Sequence, residues 1–172
     1  MIVHNAAERK MLPGDVRQLL LDKAIGQTRI DLDGLKAELR LLYAQACKVR
    51  TDGDAVRLNR QLRRLDQTVK QFLRDWNDHT RREAEDLFPY AAWYLGEDPE
   101  LFAYLEQEDE LAGQFIRAFL HALDRSVIPV QPEEARRMAS YLLQAYAFLK
   151  NRFEEEEEML DVLTDRSNRI DY

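Results

Sequence analysis

Cysteine, glycine and proline are scarce in this chain of 172 residues, which contains one Cys, six Gly and five Pro. The single cysteine, Cys47, cannot form an intramolecular disulfide and provides no thiol pair for a zinc site. We therefore expect a reducing, cytoplasmic location. Few glycines and prolines together with 33% charged residues are typical of a protein built from long helices.

Long apolar runs and a basic surface are also missing. No stretch of about 18 consecutive apolar residues suggests a membrane span, and the first residues, MIVHNAAERKML, are too polar for a signal peptide. The formal net charge is −7. The densest basic run, residues 57–64, alternates with leucine as an exposed helix face does. We expect a protein that binds neither nucleic acid nor membranes.

The usual catalytic patterns are absent from the sequence. It contains no glycine-rich phosphate-binding loop and no Ser-His-Asp order. We predict no catalytic residue and no organic cofactor. The expected partner is another protein. The sequence does not determine the oligomeric state.

Helical periodicity dominates the chain, and the alternation typical of strands is absent. Pro89 should kink or end the helix in which it lies, because it lacks an amide donor. Asp98 followed by Pro99 is a typical helix start. The pattern predicts a short helix after Pro13-Gly14 and longer helices over about residues 33–50, 54–87, 99–125 and 132–163.

Long helices with short connections indicate an all-α protein, and we predict an antiparallel four-helix bundle. The bundle is expected to span residues 32–165 as a single domain. An N-terminal extension, residues 1–31, should carry an extra helix laid across the bundle. Residues 166–172 are expected to form a C-terminal tail.

Ionisable residues interrupt the helix faces that should be buried. Steps of three and four residues along the apolar stripes pass through His79 and Glu83, through Asp109, and through Arg152 and Glu156. In an antiparallel bundle such groups can meet at one level, and each would be costly to bury alone. Drift of the stripe by about 20° per heptad would instead leave them at the edge in water. We expect a buried cluster.

The same residues resemble a known family. His-x3-Glu-x3-Leu-Phe-Pro, residues 79–89, is similar to the ligand-bearing motif of hemerythrin-like (HHE) cation-binding domains. "LEQEDELAGQFI", residues 105–116, resembles the third helix of that family, with Asp109 where a histidine is usual. "FLKNRFEEEEEML", residues 148–160, resembles its last helix, with Arg152 in place of a histidine.

This resemblance implies a four-helix bundle with a non-haem di-iron centre that binds oxygen or senses oxygen, redox state or iron. Only two ligands carry over unchanged, while carboxylate or phenolate oxygens stand at other ligand positions. Arg152 cannot ligate, because it is a permanent cation. The possible metal ligands are His79, Glu83, Asp109, Glu156 and Tyr43, the last at the position of the first-helix histidine.

An arginine among carboxylates can stand in for a metal ion, because its guanidinium forms paired hydrogen bonds with them. Three carboxylates against Arg152 leave a deficit of two positive charges with His79 neutral, or one with His79 protonated. A protonated carboxyl group, water or a bound cation would each compensate. The sequence leaves these three alternatives open.

We therefore predict a degenerate metal site that holds no metal, or a weakly bound iron or other divalent cation. The protein would act as a binding or regulatory module. Two alternatives stay open. One is a non-haem iron protein that binds or senses oxygen or redox state. The other is a protein-binding adaptor, because the last helix also resembles that of anti-sigma bundles.

Overall fold

The fold consists of helices joined by short connections. A computed structural model describes the backbone of residues 14–96 and 99–170, in which no strand occurs. The prediction of an all-α protein is confirmed. The helical elements are α1 (Gly14–Thr51), α2 (Ala55–Arg82), a π-helical turn (Glu83–Leu87), α3 (Phe88–Leu95), α4 (Pro99–Arg125) and α5 (Pro132–Ile170).

The long helices form an antiparallel bundle. α1 packs along α2 and α5, and α4 packs along α5. Contacts between α1 and α5 show the direction: Arg29 pairs with Asp161, whereas Tyr43, further along α1, stacks on Tyr146, further back on α5. The predicted helical bundle is therefore confirmed.

The apolar stripes read from the sequence form the core. Burial of one large apolar side chain stabilises the fold by about 1.5–3 kcal/mol, so these stripes supply most of the stability. Within the described residues, no helix is both long and apolar enough to cross a lipid bilayer. The buried stripe residues of α2, α4 and α5 are Leu58, Leu62, Leu65, Val69, Phe72, Trp76, Leu105, Ala112, Ile116, Phe119, Met138, Leu142, Ala145, Leu149, Met159 and Leu163.

The predicted break between a short N-terminal helix and a helix starting near Asp33 is wrong, because α1 is one helix of 38 residues. Its polar segment, residues 26–31, stays helical because Ile25 and Leu32 on either side lie on the buried face. Their packing outweighs the roughly 1 kcal/mol that an interior glycine costs. The N-terminal turns therefore lengthen the bundle instead of crossing it. The predicted domain boundary lies within α1, and Pro13 lies outside the described residues.

The chain changes its helical type before Pro89. α2 ends at Arg82, and the amide of Phe88 donates to the carbonyl of Glu83, five residues back, as in a π-helix. Pro89 then lies in the first turn of α3, where its missing amide is tolerated. The helix is thus interrupted one turn earlier than the position of Pro89 predicts. Such wide turns are frequent at functional sites.

The other helix ends lie where the sequence predicts them, except for the C-terminal end of α5. α4 and α5 begin at Pro99 and Pro132, and α4 ends at Arg125, as predicted. The proposed cap Asp98 lies outside the described residues. α5 continues past the predicted end near Leu163 to Ile170.

Two carboxyl groups face each other between α1 and α2, and they give the stability a pH dependence. Burial, the hydrogen bond with Asp75 and the negative charge of Asp75 together raise the pKa of Glu38 from 4.5 to about 7. A carboxyl group with a raised pKa in the folded state stabilises the fold below its unfolded pKa. That contribution is lost as the pH rises through the folded pKa.

Glu38→Gln removes this titration, so the variant should gain stability relative to the parent as the pH rises from about 5 to about 8. Urea unfolding of both proteins at the two pH values measures this change. Asp33→Asn, which neutralises an exposed acid on the same helix, controls for the loss of one charge. A Glu38→Gln difference that is the same at both pH values would contradict the expectation.

Candidate functional site

The polar positions of the stripes meet in the interior of the bundle. His79 at the end of α2, Glu83 in the π-helical turn, and Arg152 and Glu156 on α5 are each at most 2% exposed. Asp109 reaches them from α4 with a side chain that is 23% exposed. These five residues are called the charge cluster below. Their predicted burial is complete for four and partial for Asp109.

The guanidinium of Arg152 lies at the centre of the charge cluster. Its Nη2 donates to Oε2 of Glu83 at 3.0 Å, and its Nη1 donates to Oε2 of Glu156 at 2.9 Å. Its Nε donates to Oδ1 of Asp109 at 3.2 Å. Burial lowers the pKa of Arg152, but the charges of the three carboxylates outweigh burial and raise this pKa above its ordinary value. Arg152 is therefore a fixed cation that links three helical segments.

His79 contacts two carboxylates through one ring nitrogen. Its Nε2 lies 2.8 Å from Oε1 of Glu83 and 2.9 Å from Oε1 of Glu156. Burial lowers the pKa of His79, but the hydrogen bonds with Glu156 and Glu83 outweigh burial and raise this pKa to about 10. His79 is therefore an imidazolium at neutral pH. Its Nδ1 faces Oδ2 of Asp31 at 3.7 Å and has no hydrogen-bond partner.

The charge cluster can approach neutrality with protons alone. Burial opposes ionisation of Glu83, but His79 and Arg152 hold the pKa of Glu83 below its ordinary value. Burial and the charge of Glu83 raise the pKa of Glu156. Burial raises the pKa of Asp109 to about 6. Arg152 and His79 thus supply two positive charges against three carboxyl groups. A proton on one of these carboxyl groups makes the charge cluster neutral.

Two further charged residues, which the sequence pattern does not predict, border the charge cluster. Arg82 donates from Nε to Oδ2 of Asp31 at 2.8 Å, and this carboxylate faces His79. A helix that starts near Asp33, as the sequence predicts, would leave Asp31 outside the bundle helix. Only a continuous α1 puts Asp31 one turn before the buried Leu35, beside the apolar stripe.

Tyr43 lies apart from the charge cluster. Its side chain is 40% exposed and its ring stacks on Tyr146 with the centroids 4.2 Å apart. α1 reaches the level of the charge cluster at Lys36, which pairs with Glu157. Tyr43 is two helical turns, about 10 Å, further along. At the level of the charge cluster α1 presents Asp31, which faces His79, and the buried Leu35 and Leu39.

The ligand atoms of the charge cluster are poorly suited to hold one metal ion, and they are too few to hold two. Ligand atoms of His79, Glu83 and Glu156 lie within 4.8 Å of one another, which offers one imidazole nitrogen and two carboxylates. A cation there would have to displace the proton on His79 and would be repelled by Arg152, which already binds both carboxylates. A two-metal centre needs more ligands than the described part of the chain brings to this place.

Replacing His79 or Glu83 with alanine is expected to leave the far-UV circular dichroism at room temperature nearly unchanged, because the apolar stripes supply most of the burial. Each variant should nevertheless melt earlier, because its buried partners lose a counter-charge. Asp78→Ala changes an exposed neighbour and serves as the control. A collapse of the helical signal in either variant would mean that the charge cluster organises the fold.

Comparison with known families gives a match over most of the chain. The profile of the hemerythrin HHE cation-binding domain matches residues 33–161, which is most of the chain and includes the whole charge cluster. Asp31 lies just outside the matched range. Comparisons with curated proteins and with solved structures give no match.

Proposed function

The chain belongs to the hemerythrin HHE cation-binding domain family, and we propose that it is a binding or regulatory module in which Arg152 takes the place of metal. One observation carries this proposal: the Arg152 guanidinium is 2% exposed and donates to three carboxylates. A guanidinium cannot ligate a metal, but it pairs with carboxylates as a metal ion does.

Arg152 would replace the structural roles of a metal without its reactivity. A metal ion in a helical bundle neutralises inward-facing acids and ties helices together. Arg152 does both through hydrogen bonds to Glu83, Asp109 and Glu156. It offers no open coordination position to oxygen. The proposed module therefore keeps the scaffold and gives up oxygen chemistry.

An iron protein is the second candidate, and the proximity of His79, Glu83 and Glu156 is the observation in its favour. These residues would hold the ion, and iron would supply one-electron chemistry when bound. The pKa of His79, raised to about 10, makes proton release costly. We therefore expect such a site to bind weakly at neutral pH.

For the proposed module we expect a protein partner and a cytoplasmic location. The net charge of −7 and the single cysteine support these two expectations. They are independent of the metal content.

Metal analysis of protein purified without chelator, combined with an absorption spectrum, tests the proposed function. We expect far less than one iron per chain in the protein as purified, and no visible ligand-to-metal band either before or after anaerobic loading with ferrous iron. Stoichiometric iron with a visible band would overturn the proposal and select the iron protein.

A further inference from the structure

A second pair of acids meets between α4 and α5, outside the charge cluster. The Nδ2 of Asn151 donates to Oε1 of Glu108 at 2.7 Å and to Oε1 of Glu155 at 3.3 Å. The hydroxyl of Tyr104 also hydrogen-bonds with Glu108 and with Glu155. Two carboxylates from different helices are thus held side by side.

Each of these carboxylates has a buried oxygen without a partner. Glu108 is only 6% exposed, and the Oε2 atoms of Glu108 and Glu155 are both buried without a hydrogen-bond partner. Buried polar atoms in native proteins nearly always have partners, and an unpartnered one indicates a water molecule or an ion. This observation is independent of the proximity of the two acids.

The surrounding side chains supply too few protons and no positive charge. The Asn151 amide has two hydrogens and the Tyr104 hydroxyl has one, against four carboxylate oxygens with several lone pairs. Among the described residues, no lysine, arginine or histidine pairs with Glu108 or Glu155, and Arg152 binds the charge cluster. A buried carboxylate without a cation is unfavourable.

We propose that Glu108 and Glu155 bind one hard divalent cation of the Mg²⁺ or Mn²⁺ class between α4 and α5. Carboxylate and water oxygens suit such ions, and Mg²⁺ in proteins keeps several water ligands beside one or two carboxylates. Water can reach this place, because Tyr104 is 43% exposed and Glu155 is partly exposed. Asn151 and Tyr104 orient the carboxylates.

This cation would fasten α4 to the bundle. α1 packs along both α2 and α5, whereas the extensive packing of α4 is with α5. An ion shared by Glu108 of α4 and Glu155 of α5 adds a link at that interface. The proposal uses no residue of the charge cluster and does not depend on the role of Arg152.

Titration of the full chain with Mn²⁺, followed through the electron paramagnetic resonance signal of the free ion, tests this site. We expect one saturable site per chain with a Kd below about 1 mM. Glu108→Gln and Glu155→Gln should each raise the Kd at least about tenfold, because each removes a charged ligand. Mn²⁺ should also raise the melting temperature of the parent more than that of either variant.

Glu110→Gln on α4 and Glu154→Gln on α5 remove the same charge from exposed positions and should change the Kd less than about twofold. Glutamine keeps the size of the side chain, and circular dichroism checks that each variant is folded. Two results would overturn the proposal. One is the absence of saturable Mn²⁺ binding. The other is an equal Kd for the parent and both site variants, which would place the ion elsewhere, including in the charge cluster.

Discussion

Arg152→Ala is expected to lower the free energy of unfolding by about 3–5 kcal/mol, the usual effect of breaking a buried ion pair. The loss arises because Glu83 and Glu156 are at most 1% exposed and would keep only His79 as a counter-charge. Denaturant unfolding at neutral pH measures it. Arg82→Ala is the matched control: Arg82 also pairs with a carboxylate, but it is 39% exposed, so its loss should cost about 1 kcal/mol or less.

The cost of Arg152→Ala should shrink as the pH falls. Without the guanidinium, the buried carboxyl groups have raised pKa values, and such groups stabilise the fold at low pH and lose that contribution as the pH rises. Arg152→Met combined with Glu156→Leu should recover much of the stability, because apolar replacement of a whole buried pair is often neutral or better. An Arg152→Ala variant within about 0.5 kcal/mol of the parent would contradict a buried, paired arginine.

The double variant Asp109→His with Arg152→His is expected to bind ferrous iron at least about a hundredfold more tightly than the parent, a difference of about 2.7 kcal/mol. Two imidazoles suit iron as ligands, and the competing cation is removed. Both positions border the same space, since Arg152 Nε lies 3.2 Å from Asp109 Oδ1. Anaerobic equilibrium titration of the two proteins gives the ratio.

Asp109→Asn with Arg152→Met controls for this experiment, because it removes the cation without adding imidazoles. Its affinity should stay far below that of the double-histidine variant. A double-histidine variant with no gain over the parent would mean that these positions do not correspond to former ligands.

Much of the charge cluster could be predicted because helical periodicity fixes which residues share a face. His79 and Glu83 continue the stripe of Trp76, and Arg152 and Glu156 continue that of Leu149, and all six are buried. The sequence could not give the protonation of His79, which depends on distances to carboxylates on other segments. It also could not give the partial exposure of Asp109.

Tyr43 shows where the sequence is insufficient. The spacing within one helix does not determine how two helices are shifted along each other. Here α1 brings Asp31 and leucines, and not Tyr43, to the level of the charge cluster. The continuous α1 and the π-helical turn depend on packing in the same way. The burial of Glu108 could not be predicted for a related reason: it lies beside the stripe position of Asp109, and only contact with α5 buries it.

The stability of the parent protein with and without ferrous iron tests the central claim most directly. Anaerobic denaturant unfolding is measured once with a chelator and once with ferrous iron in micromolar excess, and the double-histidine variant is the positive control. If Arg152 replaces the metal, the two free energies of unfolding of the parent agree within about 0.5 kcal/mol. A rise of about 2.7 kcal/mol or more with iron, as expected for a ligand at about 100 times its Kd, would contradict the account if it persists in Glu108→Gln, which lacks the cation site proposed between α4 and α5.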